Sequence, residues 1–424
     1  MAEILNRQFS SVFTVDGPSD DTLLHGPSYP PIGGLHVNVK GVEKMLSDIN
    51  PSKAAGPDSI PCRLLKELSS TIAPAVTAIF TQSLQTGRLP SSWKSAYVTP
   101  VFKKGSSSAP ENYRPVSLTC VLCKLLEHVI CSHVRSHLDR HGILSHLQHG
   151  FRAKFSCESQ LITTLHDLFS MRDEGAQIDL AILDFSKAFD KVPHKRLIGK
   201  LRLYGIHGPV LTWIEEFLSN RSQQVVVDGQ FSAESGVTSG VPQGTVLGPL
   251  LFLLYINDLP SVLSPVTRCR LFADDCLIYR TIGSAADQED MQKDLDALES
   301  WSVQWGMLFN AKKCNIMTIA RTSPMVHFYS LNRTVLDHVD SCKYLGVTIS
   351  STMNWSNHID QTTKKANSRL GFLRRNLRKC PSTLRRTAYL SMVRPLLDYS
   401  STVWDPHQRQ HRDKIESVQR KSTR

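Results

Sequence analysis

Arg270-Leu-Phe-Ala-Asp-Asp-Cys-Leu-Ile-Tyr-Arg280 reads as β-strand broken by two adjacent carboxylates. Leu271 and Phe272 stand before the break and Leu277, Ile278 and Tyr279 after it, a pattern that predicts a hairpin with Asp274 and Asp275 at its turn. Neighbouring like charges repel, and ionised carboxylates held close together call for a compensating cation. A solvated turn also favours Asp, so a second acidic position has to decide between the two readings. It comes at Gln177-Ile-Asp-Leu-Ala-Ile-Leu-Asp-Phe-Ser-Lys-Ala-Phe-Asp190, where residues 180–183 are continuously apolar, as in a strand buried on both faces, and Asp184 ends the run. Laid beside the hairpin, this strand would bring Asp184 to Asp274 and form the oxygen-rich site that Mg²⁺ prefers. Two such ions activate an attacking hydroxyl and stabilise the leaving oxygen in phosphoryl transfer.

Three runs together carry a family resemblance: Phe-Ala-Asp-Asp (272–275), Asp-Phe-Ser-Lys-Ala-Phe-Asp (184–190) and Ser-Gly-Val-Pro-Gln-Gly-Thr-Val-Leu-Gly-Pro (239–249). In order and spacing they resemble central motifs of the reverse transcriptase of non-LTR retrotransposons (LINE elements), with the flavour of the jockey and CR1-like elements, and the likeness runs through nearly the whole chain. The resemblance implies an RNA-directed DNA polymerase, a nucleotidyltransferase, of α+β class: a right hand with fingers, a ferredoxin-like palm with an antiparallel sheet, and a helical thumb. The corresponding division is 1–82 as linker and fingers lead-in, 83–350 as the reverse transcriptase domain, and 351–424 as a basic helical thumb expected to be shortened at its C-terminal end.

By the same resemblance Asp184, Asp274 and Asp275 are catalytic and hold two Mg²⁺ ions, with Mn²⁺ as a substitute and the backbone carbonyl of Phe185 as a further ligand. A primer 3′-hydroxyl would attack the α-phosphate of a dNTP. Lys103, Lys104 and Arg114 are implied as nucleotide-phosphate contacts; a planar, permanently charged Arg suits a triphosphate, although surface charge explains the same residues. Phe189, five residues after Asp184, would stand against the position of a ribose 2′-hydroxyl, or would be a core aromatic. Gln243 would position template or nucleotide beside Gly244, whose lack of a side chain lets backbone approach a base pair. Lys312 or Lys313 would protonate departing pyrophosphate, Lys313 being the candidate of the two. Arg152 and Lys154 are implied template contacts, and Lys343-Tyr-Leu-Gly-Val-Thr-Ile349 reads as the strand that grips primer. The partners are RNA template, DNA primer and dNTP. Specificity would come from base pairing, so the protein reads duplex shape and backbone.

The 424 residues are too many for one ordinary compact core and suggest two or three subdomains. The longest apolar run, Val246 to Ile256, is too short to span a bilayer and contains Gly248 and Pro249. Glu3 and Arg7 at the N-terminus precede no hydrophobic core of a signal peptide. Ten scattered cysteines suggest reduced thiols in an intracellular protein; the expected location is the nucleus or a cytoplasmic ribonucleoprotein, with no clear targeting signal and no membrane partner. Of the net charge of +11, residues 361–424 carry +12, from sixteen Lys and Arg against four Asp and Glu. A polyanion gripped there explains that bias; Lys364, Lys365, Arg374, Arg375 and Arg378 are the nucleic-acid contacts expected. Leu370, Leu373, Leu377 and Leu384 would pack inward beneath them.

Along the rest of the chain, Gly17 to Gly34 reads as linker. In the related elements a similar phrase follows an endonuclease, so Met1 would be an internal start in a copy lacking that upstream part. Helical periodicity places Ile72, Val76, Ile79, Phe80 and Leu84 on one face, and Trp93 to Phe102 reads as a strand. Cys120, Cys123, His128 and His133 imitate a zinc knuckle, but the apolar residues among them follow helical spacing, which a knuckle's turns would not. Asp228-Gly229 marks a hairpin. The stretch 236–249 lacks the Gly-Lys-Ser/Thr ending of a P-loop. Two rivals remain: a nucleotide cyclase, which needs no basic thumb or primer grip, and a catalytically inactive retroelement-derived nucleic-acid-binding protein.

Overall fold

A computed structural model describes residues 1–14 and 29–423, so most of the predicted linker Gly17–Gly34 lies outside the described residues. The fold mixes sheets with many helices, and the chain divides into two compact units, each assembled from separated stretches. Among the described residues no helix is long and apolar enough to cross a membrane. All ten cysteines are free thiols, eight of them buried.

The first unit takes residues 1–151, 185–262 and 300–308. Its sheet is built on strand Ser95–Phe102, which pairs antiparallel with Tyr113–Leu118 and parallel with Arg221–Val227. Ala2, Leu5 and Phe9 of the N-terminal helix bury against Val98 and Val225 of that sheet, each large side chain contributing about 1.5–3 kcal/mol. Asp228 and Gly229, at φ 49° and 78°, make the predicted hairpin turn between Val227 and Gln230. Trp93 belongs to a short helix, Ser91–Lys94, ahead of the strand. Helix Ser69–Thr86 buries Ala73, Val76, Thr77, Phe80 and Leu84, while Ile79 faces out with 42% of its surface exposed. The zinc-knuckle mimic runs into helix Val121–Arg140, where Cys123 is buried and the His133 ring bonds the Gly33 carbonyl at 2.8 Å.

The second unit takes residues 152–184, 263–299 and 309–424. Its five-stranded sheet runs in the order Asp337–His338, Asn315–Ile319, Gln177–Asp184, Asp275–Ile282, Arg268–Phe272. All pairs are antiparallel except the outermost, Asp337–His338 with Asn315–Ile319. Ile178, Leu180, Leu277, Tyr279, Met317 and Ile319 alternate onto one face and form a core with Leu161, Leu165 and Leu168 of helix Cys157–Asp173. The continuous apolar run at 180–183 thus occupies the middle of the sheet, as expected of a strand covered on both faces.

The segment predicted as a single primer-gripping strand is instead a tight hairpin, Ser341–Tyr344 paired with Val347–Ser350. Leu345 and Gly346, at φ 43° and 90°, form its turn. A Cβ at Gly346 would lie 2.8 Å from the Tyr399 ring, whose hydroxyl donates to the Leu345 carbonyl at 2.8 Å. Beyond it the chain is helical, led by Ser356–Asn376. Leu370 and Leu373 pack with Val393, Leu397 and Val418, and Leu377 joins partly. Leu384 departs from the expectation: helix Ser382–Met392 buries none of its side chains, and Leu384 is 48% exposed.

Candidate active site

In the second unit, strand pairing sets Asp184 directly opposite Asp275. The hairpin closes with Phe272 opposite Asp275, so its turn is Ala273-Asp274 and Asp275 is the first residue of the returning strand. This shifts the predicted turn by one residue and gives Asp184 a cross-strand neighbour in Asp275 where Asp274 was expected. The cause lies in the backbone: Ala273 adopts a φ of 53°, a left-handed conformation that costs an L-residue roughly 1–2 kcal/mol. Opposed residues in such a pair start with Cβ atoms about 4.5–5.5 Å apart on one face, and Asp274 adds a third carboxylate at the turn.

Charge crowding follows. The Asp275 carboxyl is pushed up to about 6, first by burial of the turn around an otherwise solvent-reaching side chain, then by the charges of Asp274 and Asp184. Lys313 supplies one internal counter-charge, donating from Nζ to Asp184 Oδ2 at 3.0 Å. It is held there because the Asn310 N–H donates to the Asp184 carbonyl at 2.8 Å and starts the short turn Ala311–Lys313. Among the described residues no three His, Cys, Asp or Glu side chains are already drawn into a metal cage. The fit to a divalent cation rests on the mutual repulsion of three carboxylates and on their oxygen-only donor set, which suits Mg²⁺.

This crowding has a pH signature. With a folded-state value above the ordinary 3.8, Asp275 binds more protons in the folded protein than in the unfolded chain, so stability falls as pH rises through the window from 3.8 to about 6. Asp275→Asn is therefore expected to raise the melting temperature near neutral pH in EDTA, and to change it little near pH 4. Thermal melts at the two pH values check this; equal effects at both would assign the change to packing.

The first unit gathers a second group. Arg114 lies on strand Tyr113–Leu118 opposite Val101, and Lys103 and Lys104 follow the end of its partner strand; Lys104 and Arg114 are exposed. Phe185 is buried against Trp301, centroids 6.3 Å apart. Phe189 is half-buried, stacked on Phe252 at 4.3 Å and 21° and edge-on to Phe151 at 6.1 Å. Asp190 accepts a hydrogen bond from Gln243 Nε2 at 2.9 Å; burial raises its carboxyl, while Gln243, Lys187, Lys103 and Arg114 pull it down. Gly244, at φ 106°, presses on strand Tyr113–Leu118: a Cβ there would lie 2.5 Å from the Ser117 carbonyl.

Of the remaining candidates, all in the second unit, Arg152 sits over the Phe155 ring at 4.8 Å and Lys154 is exposed. Lys364, Lys365, Arg374, Arg375 and Arg378 are exposed along helix Ser356–Asn376 and just past it.

Two first-unit residues escaped the sequence reading. Fully buried Glu127 accepts the Val246 and Leu247 N–H groups at 2.7 and 3.0 Å, capping helix Leu247–Tyr255 where its unpaired N–H groups emerge. Its signal was an acid at helical spacing among Cys123, Ile130 and Val134. Asp190 was legible only as the last residue of a motif.

Residues 101–349, more than half of the chain, match the family described as reverse transcriptase (RNA-dependent DNA polymerase), and the chain belongs to that family. It is similar to the RNA-directed DNA polymerase from mobile element jockey of Drosophila melanogaster, 28% identical over 401 residues, covering 92% of this chain and 43% of the relative. The probable RNA-directed DNA polymerase from transposon BS of the same species is 27% identical over 401 residues, 92% and 44% of the two chains. The putative 115 kDa protein in type-1 retrotransposable element R1DM, also from that fly, is 27% identical over 413 residues, 95% and 38%. The chain spans less than half the length of these relatives.

Proposed function

We propose that this chain is the reverse transcriptase of a non-LTR mobile element, an RNA-directed DNA polymerase that adds deoxynucleotides to a primer 3′-hydroxyl on an RNA template. The observation that carries the reading is the register of Asp184 against Asp275 with Asp274 at the adjoining turn, within the span that matches the family. Residues 83–350 serve as fingers and palm and residues 351–424 as thumb. Primer extension on an RNA template with the four dNTPs tests the activity; no extension in Mg²⁺ or Mn²⁺ by the folded chain would defeat it.

Asp184, Asp274 and Asp275 are the residues that hold the divalent ions, with the Phe185 carbonyl as a further ligand. When bound, two such ions lower the pKa of the attacking hydroxyl and stabilise the departing pyrophosphate. Lys313 gives a proton from Nζ to the leaving group; its ion pair with Asp184 at 3.0 Å supports that role. Lys103, Lys104 and Arg114 bind the triphosphate, and Gln243 with Gly244 supports the base pair. Arg152 and Lys154 hold template phosphates.

Phe189 excludes ribonucleotides. Stacking on Phe252 removes the ring's freedom to swing, so it acts as a fixed wall against a 2′-hydroxyl. Phe189→Val is expected to raise ribonucleotide use relative to deoxyribonucleotide by roughly tenfold, read as the ratio of kcat/KM values. An unchanged ratio would leave Phe189 as packing alone.

A further inference from the structure

Phe189 to Val192 and the loop from Ser239 to Gly244 are fastened together along their length. The Ser239 hydroxyl donates to the Asp190 carbonyl at 2.8 Å. Gly240 N–H donates to the Val192 carbonyl at 2.9 Å and Val241 N–H to the Phe189 carbonyl at 2.8 Å. Gly240 holds φ at 86°, and a Cβ there would stand 2.6 Å from the Asp190 carbonyl, so only glycine permits the approach. Further on, Ser117 N–H donates to the Gln243 carbonyl at 2.7 Å. The backbone of Gln243 is therefore pinned, and only its side chain can turn.

The two ends of a primary amide have nearly the same shape and opposite hydrogen-bonding character. A charged acceptor decides between them, because flipping the amide would set its oxygen against a carboxylate and forfeit a charge-assisted bond. Asp190 is that acceptor: Gln243 Nε2 faces its Oδ1 at 2.9 Å. The half-buried side chain then turns Oε1 away from Asp190, with no hydrogen bond of its own among the described residues.

We propose that Asp190 is the positioning residue of the nucleotide site: it fixes the Gln243 amide so that Oε1 is presented as an acceptor to a hydrogen-bond donor of the bound nucleotide. This rests on the polymerase reading above. Asp190 touches neither nucleotide nor reacting atoms and acts through Gln243. Burial raises the Asp190 carboxyl, and the Gln243 hydrogen bond and the positive charges of Lys187, Lys103 and Arg114 work against that rise; the orientation itself is carried by the Gln243 Nε2–Asp190 Oδ1 hydrogen bond at 2.9 Å.

The test uses the full chain bound to an RNA template and a DNA primer ending in a dideoxynucleotide, so that binding of the next dNTP is measured without chemistry. Asp190→Asn, which keeps the shape but lets the amide invert, is expected to weaken dNTP binding roughly tenfold. Gln243→Ala, which leaves the carboxylate in place, should do the same, and the double variant should bind no more weakly than Gln243→Ala alone. Primer–template affinity and melting temperature should stay at wild-type values in Asp190→Asn. Wild-type dNTP affinity in Asp190→Asn, losses that multiply in the double variant, or loss of primer–template affinity alongside would each overturn the proposal and leave the polymerase reading standing. A wild-type chain that binds primer–template but no dNTP would overturn both.

Discussion

Asp184→Ala or Asp274→Ala is expected to cut primer extension to roughly a thousandth or less while leaving nucleic-acid affinity close to that of the wild type. Asp184 ends the central strand of its sheet and has Asp275 across from it and Lys313 at 3.0 Å; none of these contacts builds the hydrophobic core, which lies at Ile178, Leu180, Leu277 and Tyr279. Removing the Asp184 carboxylate therefore leaves that core intact. The cationic residues proposed to draw in a polyanion are others and survive the change. Extension rates and gel-shift affinities on the same preparations separate the two effects. Near wild-type extension by either variant would remove that carboxylate from the chemistry.

The second large effect is expected from the basic C-terminal helices. Replacing Arg374, Arg375 and Arg378 together by glutamine should weaken primer–template binding strongly at moderate salt, and should flatten the plot of log affinity against log salt by about 0.9 for each phosphate no longer neutralised. All three are exposed, with Leu370 and Leu373 turned inward beneath them. Substitution is a cleaner test than deletion here. Trp404 packs into the core with Ile178 and Tyr344, so a truncation after Asp360 would open that core as well as remove charge. An unchanged slope in a triple variant that melts normally would reduce these cations to a solvated surface.

Much of this was legible in the residues. The apolar run at 180–183 and the Asp228-Gly229 turn follow from local patterning that matches the element formed. The departures have separate causes. At Ala273, turn chemistry gives no warning, because alanine is a poor choice for a positive φ and only the strand register imposes it. At Leu345-Gly346 the glycine did mark a turn, but aliphatic neighbours on both sides disguised it as continuous strand. Ile79 and Leu384 obey helical spacing and still face outward, since periodicity defines a stripe without saying how far a neighbour covers it. Asp190 and Glu127 acquire their partners from segments 53 and about 120 residues away, a distance that no local pattern spans.

The parallel pairing of Ser95–Phe102 with Arg221–Val227 also fixes a timetable for the protein's birth. The two strands are separated by more than a hundred residues, and a ribosome adding roughly 5–20 residues per second delivers the second on the order of ten seconds after the first. Through that interval Ser95–Phe102 can pair only with Tyr113–Leu118, leaving one edge open to stray strands. Gln177–Asp184 waits in the same way for Asp275–Ile282. Synthesis from the N-terminus cannot close the first unit before residue 308 has emerged, so expression that slows elongation before that point should yield aggregates, and co-expressed holdase chaperones should relieve them.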